Sequence, residues 1–440
     1  MLASKLKHIV VKDCSFIDMD ANLALHINSC FTNESVFKIS EHIKKEEIPL
    51  LSFDYARKQW LIGRYIGELF FTYNKQDYCF EVKPRFGNAA ILHLLEEIFK
   101  VKLASNKADN SLRNTQPNQL IKKLISLIWI KELSKANVHG LPKKKINIKY
   151  VGNTIKGKID IRKSIIPLYN ENNIVSNKIE KTTDVVIQSI LHKAYHLLCK
   201  EYFLTQNMLT ENVKDVLKNT SQNYNKNITA SEYKKIRYGA MYIGYKNIVD
   251  FSWEIIQRKK NALLQKNANK NTDALFLDMA EIWENYLIAV FKKKYQTQGW
   301  KVYSKKYYTY QNQSFKRGLI PDIILEKDND VIVWDAKYKN MEFGMFDYDR
   351  ADFFQIHTYG SFMESQNKKV IGLGLLYPFK NEINEHQIKQ NFSKTLFDAG
   401  NNSTWFKVDG ITLPEKIDEL IVNRNNFINR IDDFMTSKNS

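Results

Sequence analysis

The sequence predicts a mixed α/β protein, α+β overall, in which a C-terminal mixed sheet flanked by helices follows a β-rich N-terminal region and a mainly helical middle region. Three observations carry this expectation. Short apolar or alternating runs dominate the N-terminal stretch, helical periodicity dominates the middle, and beyond residue 271 a helix, two strands, a helix and a strand follow in turn. At 440 residues the chain is longer than one core normally supports. The expected division is 1–165, 166–270 and 271–440.

In the first region HIVVK, FKIS, WLIGRYIGELFFTY and YCFEVKPRFG read as strands, and Ala89 to Leu103 as a helix. The polar SNKADNSLRNTQPNQ breaks the pattern. QLIKKLISLIWIKELSK then carries apolar residues at helical spacing and stops at His139-Gly140. KINIKYVG and KGKIDIRKSI read as strands, and 184–203 and 231–259 as helices. The Asn- and Lys-rich KKNALLQKNANKNTDA precedes the last boundary, near residue 271.

Hydrophobic residues make up 44% of the chain, which is the composition of a folded protein rather than a disordered one. Lys and Arg outnumber Asp and Glu by 66 to 48, for a net charge of +18, which favours a polyanionic partner such as nucleic acid. The four cysteines lie too far apart for a metal knuckle and too sparsely for a disulfide framework. No signal-peptide core and no apolar run long enough to span a bilayer occurs, so the protein is expected in the cytoplasm without a membrane partner.

The segment RGLIPDIILEKDNDVIVWDAKYKN, residues 317–340, reads as a β-hairpin with Asp328-Asn329 as its two-residue turn. Lys327 then faces Asp330, and counting outward sets Asp322 opposite Asp335. Two bare carboxylates so placed repel each other, and a divalent cation between them removes the repulsion. Oxygen ligands with open water positions suit Mg²⁺, with Mn²⁺ as a substitute. Asp322, Asp335 and the Ala336 backbone carbonyl are the candidate metal ligands. Lys337, two residues past Asp335, shares its face and completes a PD…DxK pattern suited to phosphodiester hydrolysis.

Two helices bring further candidates. LDMAEIWENYLIAVFKKKY places an apolar stripe from Met279 to Phe291, bordered by Glu284, a candidate ligand or supporting group. DYDRADFFQIHTYGSFM places Gln355 and Tyr359 at i and i+4 on one face, in position to point at the site together. Gly152 to Ile159 nearly spells a phosphate-binding loop, but Ile159 stands where a hydroxyl is required and the segment reads on into a strand, so nucleotide binding is expected only on a partner. His192 and His196 are i and i+4 on a helix but lack a third zinc ligand in the sequence.

DMAEIWENY, LIPDIIL, VWDAKYK, DFFQIHTYG and GLLYP, in order over 276–378, resemble McrC, the nuclease subunit of McrBC-type restriction systems, and the related LlaJI-like restriction proteins. IKGKIDIRKSI at 155–165 and IGRYIGELFFTYNKQDYCFEVKPRFG at 62–87 extend the resemblance. It implies a C-terminal PD-(D/E)xK restriction-endonuclease-like fold with Asp322, Asp335 and Lys337 in the catalytic positions, Glu284 and Gln355 remaining supporting candidates. It implies double-stranded DNA as substrate and an N-terminal region docked on a hexamer of McrB-like AAA+ GTPase, with GTP bound to that partner only. A catalytically silent DNA- or motor-binding adaptor and a stand-alone nuclease are the alternatives.

Overall fold

The computed structural model describes residues 6–32, 35–37, 49–100, 117–220, 227–267, 273–310, 314–315, 317–340, 349–380, 392–393, 404–414 and 416–436. The expected helix beyond residue 100, the end of the FKIS strand and most of the polar stretch before residue 117 lie outside these residues.

The N-terminal stretch supplies β1 (Lys7–Lys12), α1 (Ala21–Cys30), β2 (Val36–Phe37), β3 (Tyr65–Tyr73), β4 (Gln76–Lys83) and α2 (Gly87–Phe99). β3 and β4 form a hairpin whose turn residues, Asn74 and Lys75, both take positive φ (50° and 63°), matching the right-handed strand twist. β1 pairs parallel with β4, Lys12 opposite Lys83, so the two strands end side by side. α2 stops where Lys100 turns left-handed at φ 53°.

The middle stretch holds α3 (Pro117–Ala136), β5 (Lys143–Gly152), β6 (Lys158–Ile159), α4 (Ile161–Glu171), β7 (Ile174–Thr183), α5 (Val185–Glu201), α6 (Glu211–Thr220), α7 (Ala230–Lys234) and α8 (Tyr245–Asn267). Two expectations need correction. KGKIDIRKSI keeps only a two-residue strand, because the Asp160 side chain accepts from the Lys163 N–H and starts α4. The single helix expected over 231–259 is two: a capping box between Thr229 and Glu232 opens α7, which ends at Lys234, and α8 begins only after Gly239 and Gly244.

The C-terminal stretch begins with β8 (Asp273–Asp278), which pairs antiparallel with β3 and parallel with β2. The five-stranded order is therefore β1-β4-β3-β8-β2. Because this strand reaches back into the N-terminal sheet, the chain forms two compact units, 1–121 with 265–440 and 122–264, where the sequence suggested three consecutive segments.

α9 (Met279–Tyr295) follows at once, capped by Asp278. A six-stranded sheet then forms from β9 (Lys301–Tyr303), β10 (Ile323–Lys327), β11 (Asp330–Ala336), β12 (Lys369–Phe379), β13 (Phe392–Ser393) and β14 (Trp405–Thr412), in the order β9-β10-β11-β12-β14-β13. β11, β12 and β14 run parallel and the other pairs antiparallel, so the sheet is mixed, as expected.

On one face α10 (Arg350–Ser365) lays Ile356, Tyr359 and Met363 on Ile324, Val333, Leu373 and Leu375. On the other, Trp334 meets Phe291 of α9 and Phe434 of α11 (Ile417–Thr436), with ring centroids 6.3 and 5.4 Å apart. Gly374 makes room for this indole: a Cβ there would lie 2.2 Å from the Trp334 ring and 2.4 Å from the Lys407 carbonyl oxygen.

Candidate active site

The site starts from the hairpin register. Lys327 pairs with Asp330 around a turn in which Asp328 takes φ 54°, and Ile323 pairs with Trp334. One step outward, Asp322 lies just before β10 and Asp335 in the last turn of the pleat of β11. The Ala336 N–H donates to Asp322 Oδ2 at 2.9 Å, which ties the first carboxylate to the strand bearing the second. Asp335 has no solvent exposure and Asp322 only 9%.

Lys337 continues from β11, its N–H donating to the Leu376 carbonyl at 2.9 Å. The Trp283 indole N–H donates to the same carbonyl at 3.1 Å, so α9 is pinned to this strand end. The Lys337 ammonium lies 2.5 Å from Asp335 Oδ2 and 3.2 Å from Asp352 Oδ1. It donates to Gln355 Oε1 at 2.7 Å, the Gln355 amide donates to the Tyr359 hydroxyl at 2.7 Å, and that hydroxyl donates to the Ile320 carbonyl at 3.0 Å. Gln355 and Tyr359 thus share one helix face and form a chain that runs from the lysine to the residue before Pro321.

Both oxygens of Asp335 are buried and, among the described residues, neither has a hydrogen-bond partner apart from the close ion pair that Lys337 makes with Oδ2. Burial first, then the Asp322 carboxylate, raises the Asp335 pKa well above the carboxylate range, with Lys337 opposing. For Lys337 itself burial favours the neutral amine, but the surrounding carboxylates, Asp335 foremost, outweigh it and hold the ammonium charged. Four carboxylates (Asp322, Asp335, Asp349, Asp352) stand against two ammonium groups (Lys337 and Lys339, the latter 2.6 and 2.7 Å from Asp349 and Asp352), leaving two negative charges when all are ionised. A buried carboxylate held by one ammonium and facing a second carboxylate fits a divalent cation in charge and in donor chemistry.

The structure brings Asp322, Asp335, Ala336, Lys337 and Gln355 together. Glu284 is buried on α9, whose Phe291 packs on Trp334; strand alternation sets that face opposite Asp335. Among the described residues no group of three or more His, Cys, Asp and Glu gathers as a metal cluster. Asp352, which sequence reasoning missed, is legible afterwards from its place three residues before Gln355 on α10. Lys158 and Ile159 of the near phosphate loop are paired with Asn177 and Ser176 in a ladder, so they do not open a helix toward a phosphate. His192 and His196 meet through their Nε2 atoms at 3.1 Å, and His192 Nδ1 faces the Thr220 hydroxyl at 3.1 Å. No described helix is long and apolar enough to cross a membrane.

Fold and site define the class: a mixed α/β protein with a buried carboxylate pair and a lysine at one end of a helix-flanked sheet. Residues 62–378, well over half the chain, match the family described as McrBC 5-methylcytosine restriction system component, and the chain belongs to that family. The resemblance read from its motifs is thereby borne out. Among solved structures the chain is similar to one from a refined half-complex of the tetradecameric assembly of Thermococcus gammatolerans McrB AAA+ hexamers with bound McrC, at 12% identity, TM-score 0.51, over 97% of this chain and 100% of that one. A second match, from the cryo-EM structure of the Thermococcus gammatolerans McrBC complex, has 12% identity and TM-score 0.34 over 65% of this chain and 87% of that one. Comparison with curated proteins returned no match.

Proposed function

We propose that the chain is the McrC-like nuclease subunit of a modification-dependent restriction system. It is a Mg²⁺-dependent endonuclease of the PD-(D/E)xK type that hydrolyses phosphodiester bonds of double-stranded DNA. It works in complex with an McrB-like AAA+ GTPase hexamer, which binds the GTP and whose hydrolysis it stimulates. The observation that carries this reading is the buried Asp322–Asp335 pair with Lys337 on the same side, the Asp335 oxygens having, among the described residues, no hydrogen-bond partner besides the Lys337 ion pair. The family membership supports the partner, the similar fold occurs in an McrB–McrC assembly, and the net charge of +18 suits DNA.

Asp322, Asp335 and the Ala336 carbonyl would hold Mg²⁺ or Mn²⁺, which when bound polarises the scissile phosphate and acidifies a coordinated water. Asp335 gives up its proton as it becomes a ligand, so binding tightens as pH rises. Asp352 keeps Lys337 protonated, and Gln355, braced by Tyr359, fixes the direction of the ammonium. From there Lys337 offsets charge developing on the phosphate oxygens.

The test is cleavage of supercoiled plasmid by the chain with its co-expressed AAA+ partner, GTP and Mg²⁺, comparing wild type with Asp335→Ala and Lys337→Ala. Wild type should cut, Asp335→Ala should not, and Lys337→Ala should cut about 10²- to 10³-fold more slowly. Cleavage at the wild-type rate in both variants removes the site assignment. Cleavage without partner or GTP identifies a stand-alone nuclease, and partner binding by an inert wild type identifies an adaptor.

A further inference from the structure

We propose that Tyr338 is a positioning residue for Lys337, held by Asp13 and Arg85, so that the N-terminal sheet sets the geometry of the nuclease centre; the inference rests on the function proposed above. β11 ends at Ala336, and past the Lys337 N–H the described contacts of the next three residues run largely to the N-terminal segment. The Tyr338 hydroxyl donates to Asp13 Oδ2 at 2.8 Å, and its ring lies under the Arg85 guanidinium at 4.5 Å and edge-on to Phe86 at 6.1 Å. Arg85 Nη2 donates to the Lys339 carbonyl at 3.2 Å and Nη1 donates to the Asn340 side-chain oxygen. The Asn340 amide donates to the Cys14 carbonyl at 3.0 Å.

The clamp is rigid from its own side as well. Asp13 directly follows β1, and Arg85 lies two residues past the end of its partner β4; the Asp13 N–H donates to the Lys83 carbonyl at 3.1 Å, and the Arg85 N–H donates to Asp13 Oδ1 at 2.5 Å. Asp13 is 1% exposed and Tyr338 5%. Successive side chains of an extended strand point to opposite sides, and here Lys337 reaches Gln355 on α10 while Tyr338 reaches Asp13. Fixing the Tyr338 ring therefore fixes the peptide between the two residues, and with it the direction of the Lys337 side chain. A purely packing role would be filled more cheaply by apolar side chains, because a buried carboxylate and hydroxyl must be desolvated. What the polar clamp adds is a defined direction.

The experiment is a double-mutant cycle in the full chain with its AAA+ partner, GTP and Mg²⁺, using Tyr338→Phe alone and combined with Lys337→Ala. Cleavage of plasmid at saturating protein, DNA affinity and the Mg²⁺-dependent thermal shift are measured for each. Tyr338→Phe should slow cleavage about 10- to 100-fold, the size of a displaced reacting group, with DNA affinity and the thermal shift unchanged. In the Lys337→Ala background it should cause no further loss of residual cleavage. Equal losses in both backgrounds, or none in the wild-type background, overturn the proposal. Should Tyr338→Phe not fold, Arg85→Lys, which keeps the charge but not the fork onto Lys339 and Asn340, runs the same cycle. A wild type that does not cut refutes the nuclease reading itself and this inference with it, a result distinct from cutting that ignores Tyr338.

Discussion

Replacing Asp335 by asparagine should stabilise the metal-free protein while abolishing both Mg²⁺ binding and cleavage. The carboxylate is wholly buried beside Asp322, and among the described residues Lys337 alone offsets its charge. Opposed strand residues place such groups about 5 Å apart, where two unit charges at an effective dielectric of about 20 repel by about 3 kcal/mol. That figure is an upper bound, because the substitution also takes from Lys337 its nearest counter-charge, leaving Asp352 at 3.2 Å. A net gain of about 1 kcal/mol follows, worth about 1–2 °C in a chain of this size.

The pH dependence has a definite sign. A carboxyl whose folded pKa is raised contributes stability that is present below its unfolded pKa of about 3.9 and is lost as pH rises through the folded value. Metal-free wild type should therefore lose stability relative to Asp335→Asn from acid toward neutral pH, and the two should converge in acid. With Mg²⁺ at a hundredfold excess over its dissociation constant, wild type should gain about 2.7 kcal/mol and the variant nothing. Differential scanning fluorimetry over pH, with EDTA or Mg²⁺, measures all of this. An Asp335→Asn chain that melts lower than wild type in EDTA at neutral pH, or keeps the Mg²⁺ shift, refutes the reasoning.

Lys337→Ala should cut about 10²- to 10³-fold more slowly, the cost of losing one charge-stabilising donor, yet keep the Mg²⁺ thermal shift; a lost shift would make the lysine structural. Gln355→Ala should cost about tenfold in cleavage, measured at saturating DNA, and wild-type rates would show that the Gln355–Tyr359 chain does not orient the lysine. Gly374→Ala should destabilise the sheet by about 1–3 kcal/mol in urea unfolding, because its Cβ meets the Trp334 ring and the Lys407 carbonyl. An unchanged midpoint there would mean that the two strands separate without strain.

The hairpin was legible in the sequence because everything that fixes it is local: a two-residue turn with Asp328 tolerant of positive φ, and apolar residues on both strands that lock the register. The same holds for Gln355 and Tyr359, whose spacing alone puts them on one helix face. Elements whose partners are distant were not legible. β8 joins the N-terminal sheet through pairings with Tyr65 to Phe70, and the clamp on Tyr338 comes from a residue 325 positions away. Local chemistry was misread where two signals competed. In KGKIDIRKS the alternation of isoleucines suggested a strand, while Asp160 capped a helix. Asp352 was overlooked because an acidic residue in a first helical turn is unremarkable until Lys337 is seen to reach it.

On the function proposed, a divalent cation sits between Asp322 and Asp335. Anomalous scattering from Mn²⁺-soaked crystals locates such an ion without reference to activity. A peak in contact with both carboxylates and the Ala336 carbonyl, absent in Asp335→Asn, is the predicted result. Well-diffracting soaked crystals whose manganese lies elsewhere, or that hold none, would contradict it.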